Sequence, residues 1–190
     1  YARTAPQPYR AFTTEVTKHT HQAHCIVGNR AYSITEDKRL PLSLLINILG
    51  GPTANSRLNV TVRERKGLSY NIEASYTPYS DAGMALIYFS SDHCNVDLCR
   101  EIIDSEIRKL QSTKLTSRQL SMAKRQYIAQ MTISTEGSEN YMLGIGRSLL
   151  VHGEVDTLDQ AFKKINSVTA DQIMEVANEI FTNNSTLIYR

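Results

Sequence analysis

The sequence has no long apolar segment and no strong net charge. None of its apolar runs approaches the roughly 18 to 20 residues of a membrane-spanning helix. Its 21 basic and 19 acidic side chains leave a net charge of +2 at pH 7, which is too small to indicate binding to nucleic acid or to a membrane surface. We therefore expect a soluble protein, cytoplasmic or periplasmic, with neither class of partner.

Recognisable cysteine and glycine motifs are also missing. Cys25, Cys94 and Cys99 have neither a metal-binding nor a redox spacing, so we expect three buried free thiols. The glycine-rich run at residues 50–52 lacks both the Walker pattern and the dinucleotide fingerprint. It is predicted to be a flexible turn before a helix.

Three histidines near the start of the chain invite a metal interpretation. His19 and His21 would share one face of a strand, whereas His24 would point to the other face. No nearby carboxylate completes a ligand set. We therefore predict no metal site in this chain and a partly buried His24 at a polar strand end.

Acidic side chains around residues 92–106 raise the question of acid–base catalysis. These residues are Asp92, Glu101, Asp104 and Glu106. Most of them fall on the polar face of a helix predicted over residues 95–111, so we interpret them as a solvated face.

Apolar periodicities alternate between two and about 3.6 residues along the chain. Strands are predicted near residues 19–27, 68–77, 83–91 and 186–189, and helices over 42–49, 54–66, 95–111 and 141–150. Capping boxes, in which a Thr is followed three residues later by Gln, begin three further helices at Thr116, Thr157 and Thr169. The order β-α-α-β-β-α-α-α-α-α-β predicts an α+β fold in which helices cover an antiparallel or mixed sheet. The strand over 83–91 is apolar on both faces, which predicts a position in the sheet centre.

A sharp corner is predicted between the helix that ends at Lys66 and the strand that follows. Gly67 can take the left-handed conformation that ends a helix. The turn would bring Arg63 and Tyr70 to one pocket. The alternative interpretation is structural, because Leu68, Tyr70, Ile72 and Ala74 would share the apolar face of a regular strand, with Tyr70 in the core.

Two further motifs flank this corner in the sequence, one before it and one after it. The run Leu49-Gly-Gly-Pro-Thr-Ala-Asn-Ser-Arg-Leu58, the corner Val62-Arg-Glu-Arg-Lys-Gly-Leu-Ser-Tyr70 and the hairpin Ser80-Asp-Ala-Gly-Met-Ala-Leu86 resemble the second lobe of the pitrilysin and insulinase-like zinc peptidases. Similar lobes occur in the bacterial processing-peptidase-like members. The segments at residues 22–24 and 185–189 are similar to the first and last strands of that lobe, so the resemblance covers nearly the whole chain.

The metal centre of that family is absent from this chain. Its H-x-x-E-H motif supplies two zinc-binding histidines, and none of the five histidines here has that context. The resemblance implies the C-terminal, substrate-binding lobe of a zinc endopeptidase, over residues 15–190, after an interlobe linker over residues 1–14. Zinc would be bound by the missing lobe, and this segment alone would be inactive.

The resemblance also assigns a role to the predicted corner. Arg63 and Tyr70 fall on the positions of the family's Arg and Tyr pair, which hydrogen-bond the substrate near the scissile carbonyl. The partners implied are a peptide substrate and an N-terminal zinc lobe or a separate zinc-bearing subunit. Substrate backbone would be held by strand addition at one of the sheet edges. The alternatives are a noncatalytic partner subunit and a structural scaffold of the same fold.

Overall fold

The computed structural model describes residues 7–190, which form two compact units. The sheet unit contains residues 7–114 and 171–190, and the helical unit contains residues 115–170. The sheet unit is built from β1 (Thr13–Val16), β2 (Ala23–Ala31), α1 (Arg39–Gly50), a π-helix (Asn59–Glu64), β3 (Ser69–Pro78), β4 (Gly83–Ser91), a 3₁₀ turn (His93–Asn95), α2 (Val96–Ser112) and β5 (Ser185–Tyr189). The helical unit contains α3 (Ser117–Glu136), α4 (Ser138–His152) and α5 (Leu158–Ser167), and α6 (Ala170–Phe181) leads back into the sheet unit.

The five strands form one mixed sheet in the order β1-β5-β2-β4-β3. β1 pairs in parallel with β5, and all the other pairs are antiparallel. This confirms the predicted α+β fold. β4 is an interior strand, as predicted, although the middle strand of the described sheet is β2. β2 begins at Ala23, later than predicted, and β1 was not predicted at all; it includes Thr13 and Thr14, which the sequence placed in the linker.

The two faces of the sheet have different surroundings. One face packs against helices and is buried, through Cys25, Val27, Ile72, Ala74, Ala85, Ile87, Phe89 and Ile188. The opposite face, called the open face below, carries His24, Ile26, Leu86, Tyr88 and Leu187, which are half-buried or exposed. Successive side chains along a strand point to opposite faces of the sheet. The register of the strands therefore determines both which residues are buried and which lie on the open face.

The predicted turn at residues 50–52 is present between α1 and the π-helix, but Gly50 still belongs to the helix and is tightly packed. Gly50 is the last residue of α1, and it lies directly against β3. A Cβ atom at this position would lie 2.8 Å from the Cβ of Ala74 and 2.7 Å from the backbone nitrogen of Ala74. Only a glycine allows so close an approach of helix and strand.

The cysteines are free thiols, but they are not all buried. Cys25 and Cys99 are buried, whereas Cys94 is exposed in the short 3₁₀ turn before α2. The prediction was therefore wrong for Cys94. Burial raises the pKa of Cys25 to about 12 and also raises the pKa of Cys99.

The helical unit depends on local features. Two of the predicted capping boxes are present: Thr116 begins α3 and Thr157 begins α5, and each exchanges hydrogen bonds with the Gln three residues later. No residue of α3 or α4 is buried. Among residues 7–190, every helix is too short or too polar to cross a membrane.

Candidate functional site

The helix predicted over residues 54–66 is replaced by a turn followed by the π-helix. The backbone N–H of Arg65 donates to the carbonyl of Val60, five residues earlier, at 3.0 Å. Leu58, Asn59 and Val62 are buried, and the side-chain amide of Asn59 donates to Ser56 Oγ at 2.8 Å. π-helical turns are rare in proteins, and those that occur are often found at functional sites. This one leaves residues 63–66 exposed at the surface.

Gly67 ends this segment in the conformation that the sequence predicted. Its φ of +60° lies in the left-handed region, and its N–H donates to the carbonyl of Arg63 at 2.9 Å. The N–H of Leu68 then donates to the carbonyl of Val62 at 3.0 Å. These two bonds satisfy carbonyls at the helix end and turn the chain into β3.

A β-bulge at the start of β3 displaces Tyr70 from the strand's regular alternation. Ser69 pairs with Ser91 and Asn71 pairs with Ser90, so Tyr70 is the extra residue of β3. The hydroxyl of buried Ser69 donates to the carbonyl of Ser90 at 2.8 Å, which ties the bulge to β4. Tyr70 is consequently 64% exposed, and the structural alternative that placed it in the core is wrong.

Arg63 and Tyr70 are thus exposed on two packed elements that are joined by a tight turn. The Arg63 side chain is 54% exposed, and its only ion pair within residues 7–190 is a long one, 3.8 Å from Nε to Oε1 of the neighbouring Glu64. The Tyr70 hydroxyl has no hydrogen-bond partner in the described part of the chain. Among residues 7–190, the long contact with Glu64 is thus the one polar interaction of these two exposed side chains.

A second charged cluster lies near this corner, and the sequence did not indicate it. Glu106 on α2 is buried, which corrects its assignment to a solvated face. Its carboxylate contacts Lys109 Nζ at 2.6 Å and Arg57 Nη1 at 3.9 Å. Burial lowers the pKa of Arg57, an effect that Glu106 opposes. The helical spacing of the sequence could have indicated that Glu106 is buried, because it lies on the same stripe of α2 as Ile103 and Leu110.

The three histidines near the chain start are not brought together as metal ligands. His19 and His21 are exposed ahead of β2, and His24 lies half-buried within β2. His24 Nδ1 is hydrogen-bonded to the hydroxyl of Tyr88 at 2.8 Å. Across residues 7–190, no group of three His, Cys, Asp or Glu side chains is arranged to bind a metal ion. The described residues therefore do not fit a catalytic zinc.

Comparison with known proteins finds relatives over almost the whole chain. Residues 2–127 match the family model described as the peptidase M16 inactive domain. The uncharacterized zinc protease YmxG of Bacillus subtilis is 30% identical over 90% of this chain, and an uncharacterized zinc protease of Rickettsia bellii is 25% identical over 96%. The chain spans 41% and 44% of the lengths of these two relatives.

Solved structures share the fold. A protease from Helicobacter pylori superposes with a TM-score of 0.84 and 20% identity, over 99% of this chain and 48% of that chain. A peptidase M16 inactive domain from Pseudomonas fluorescens superposes with a TM-score of 0.83 and 18% identity, over 98% of this chain and 44% of that chain. Because the family model matches well over half of its residues, the chain belongs to the peptidase M16 inactive-domain family, the C-terminal lobe of the pitrilysin-like peptidases.

Proposed function

We propose that this lobe binds the peptide substrate of a zinc endopeptidase and supplies Arg63 and Tyr70 to the scissile carbonyl. The observation that carries this proposal is the exposure of Tyr70 by the bulge at the start of β3. A tyrosine needed only for packing would lie on the buried face, as Ile72 does. The relatives named zinc proteases support a peptidase as the complete protein.

The chemistry of both side chains suits this role. When a peptide bond is attacked, its carbonyl oxygen gains negative charge that hydrogen-bond donors stabilise. A guanidinium and a phenol both donate without having to change protonation state at neutral pH. Arg63 also brings a positive charge toward the developing negative charge. The zinc of the complete enzyme would be bound outside this chain, since the residues described here offer it no ligand set.

The free edge of β3 is the proposed docking site for substrate backbone. Within residues 7–190, β3 pairs only with β4, so its other edge has unpaired backbone groups. An extended peptide can add to such an edge through main-chain hydrogen bonds. Tyr70 lies at the start of this same edge strand, so an added peptide would pass the proposed donor. The enzyme would then select substrates by their extended backbone conformation more than by their sequence.

The proposed partner is an N-terminal zinc lobe of the same polypeptide. This chain spans about two fifths of the curated relatives that it matches, so the relatives have room for such a lobe. A separate zinc-bearing subunit would use the same surface, and copurification with such a protein would favour that arrangement. A purely structural scaffold gives no reason for an exposed tyrosine beside an exposed arginine.

The test is Arg63→Ala in the complete peptidase, with Arg65→Ala as the matched control. Arg65 is also exposed and lies two residues away, but the proposal gives it no role. We expect Arg63→Ala to lower kcat on the order of 100-fold or more, the typical effect of losing one such donor. Arg65→Ala should stay near the native rate, and circular dichroism should show both variants folded. Equal rates in the two variants would contradict the proposal.

A further inference from the structure

The backbone segment that carries Arg63 contacts α2 at both of its ends. At the start of the segment, Arg57 Nη1 lies 3.9 Å from Oε2 of Glu106 on α2. At its end, the thiol of Cys99 on α2 contacts the carbonyl of Leu68 at 3.8 Å. Cys99 and Glu106 are two helical turns apart, so they lie on the same side of α2. One side of α2 therefore contacts the chain both before and after the π-helix.

The contact at the start of the segment joins two charges that are largely withdrawn from water. The Glu106 side chain is 7% exposed and that of Arg57 is 25% exposed, so solvent screens their attraction only in part. Within residues 7–190, Glu106 is the only ion-pair partner of Arg57, whereas Glu106 also contacts Lys109 of its own helix at 2.6 Å. A guanidinium withdrawn from water is costly without a partner. Glu106 therefore fixes where Arg57 lies on α2.

A short and well-packed piece of backbone joins Arg57 to Arg63. Leu58, which follows Arg57, and Val62, which precedes Arg63, are both fully buried. The hydroxyl of Thr61 donates to the carbonyl of Arg57 at 2.7 Å, which links the start of this segment to the π-helix. A displacement of Arg57 along α2 is therefore passed through this backbone to Arg63.

We infer that Arg57 and Glu106 are positioning residues, which hold Arg63 where it meets the substrate carbonyl. This inference rests on the proposed function, because it takes Arg63 to donate to that carbonyl. Neither positioning residue touches the substrate, and both act through the backbone of the π-helix. Loss of the pair leaves the free edge of β3 intact for substrate backbone but displaces the donor that meets the developing charge. It therefore lowers kcat and leaves KM nearly unchanged.

The test is Arg57→Met in the complete peptidase, made both in the native enzyme and in the Arg63→Ala variant. Methionine keeps much of the apolar stem of arginine and removes its charge, while buried Glu106 keeps Lys109 as a partner. In the native background we expect kcat to fall about tenfold, because a displacement of about 1 Å at a group that contacts substrate costs up to about 100-fold. KM should change by less than about twofold. In the Arg63→Ala background, Arg57→Met should lower kcat no further.

The second background separates positioning from a purely structural role. A variant that only loosens the fold lowers kcat by the same factor whether or not Arg63 is present, and that result would overturn the inference. A native kcat for Arg57→Met, or a rise in KM alone, would overturn it as well. Arg57→Lys retains the charge and should cause a smaller fall in kcat than Arg57→Met. It takes the place of Arg57→Met in the same comparison if that variant does not fold.

The matched control is Asp97→Asn, which neutralises another carboxylate of α2. In the part of the chain that the structure describes, Asp97 pairs only with Arg100 of the same helix, at 3.3 Å, so it does not link α2 to the π-helix. It should leave kcat and KM at their native values. A loss of kcat equal to that of Arg57→Met would show that the effect comes from the charge of α2 in general and would overturn the inference.

The inference and the proposed function fail in different ways. If Arg63→Ala lowers kcat while Arg57→Met does not, or does so equally in both backgrounds, only the positioning pair is wrong. If Arg63→Ala leaves kcat at its native value, the proposed role of Arg63 is wrong, and the positioning pair falls with it.

Discussion

The sheet unit and the helical unit bury their apolar side chains to very different extents. In the sheet unit, Leu42, Leu45, Ile87 and Phe89 are fully buried. In the helical unit, α3 and α4 contain no buried residue, and large apolar side chains are exposed, among them Ile133, Met142, Leu143, Leu149 and Leu150. A domain gains most of its stability from buried apolar surface. The sheet unit therefore has its own core, whereas α3 and α4 rely more on capping and local contacts.

This difference is reflected in where the candidate site lies. Arg63 and Tyr70 belong to the sheet unit, where buried Leu58, Val62 and Ser69 fix the backbone on both sides of the corner. The proposed function requires such a rigid support, since small displacements of groups that contact the substrate reduce catalysis. The exposed apolar residues of α4 provide no such support.

The largest effect on stability is expected in the core of the sheet unit. Phe89 is fully buried in β4, so Phe89→Ala removes its contacts and leaves a cavity. We expect the free energy of unfolding to fall by about 3 to 5 kcal/mol. Leu150→Ala in the helical unit should change it by less than about 0.5 kcal/mol, because Leu150 is 90% exposed. Urea titration measures both, and similar losses would show that the two units do not differ in this way.

A smaller effect concerns pH and again separates buried from exposed groups. Burial raises the pKa of Cys25 from 9.0 to about 12, so the folded state keeps a proton that the unfolded state releases above pH 9. The thiol thus stabilises the fold fully below pH 9, and this contribution is lost as pH rises toward 12. Cys25→Ala should show a weaker fall of unfolding free energy between pH 9 and pH 11 than the native chain. Cys94→Ala, at an exposed thiol, is the control, and identical pH profiles for all three proteins would contradict the prediction.

The smallest effect is expected from a helix cap in the helical unit. Thr157 accepts a hydrogen bond from the backbone N–H of Gln160 at 3.2 Å, at the start of α5. Thr157→Ala should reduce the unfolding free energy by about 1 kcal/mol, because this N–H loses its partner. Thr157→Ser retains the hydroxyl and should remain near the native value. Thermal unfolding followed by circular dichroism compares the two, and an equal loss in both would mean that the cap does not stabilise α5.

Much of the fold could be predicted because it depends on local patterns. The short apolar run over residues 83–91 predicts β4. The capping boxes at Thr116 and Thr157 predict the starts of two helices, and the structure contains both. The left-handed turn at Gly67 was likewise predicted from its position after a basic helix end.

Other features could not be predicted because they arise from tertiary packing. A period of two placed Tyr70 in the core, but a single extra residue in β3 displaces it, and nothing local to the sequence marks that bulge. The His24–Tyr88 pair joins residues 64 positions apart and requires the register of β2 with β4. The exposure of Cys94 depends in the same way on where the 3₁₀ turn lies on the surface.

The most direct test of the central claim is the kcat of Tyr70→Phe in the complete peptidase, compared with that of Tyr79→Phe. Both tyrosines are more than half exposed, so each substitution removes one hydroxyl and little packing. If the Tyr70 hydroxyl donates to the scissile carbonyl, Tyr70→Phe lowers kcat on the order of 100-fold while Tyr79→Phe leaves it unchanged. A native kcat for Tyr70→Phe would contradict the assignment of this residue to the transition state.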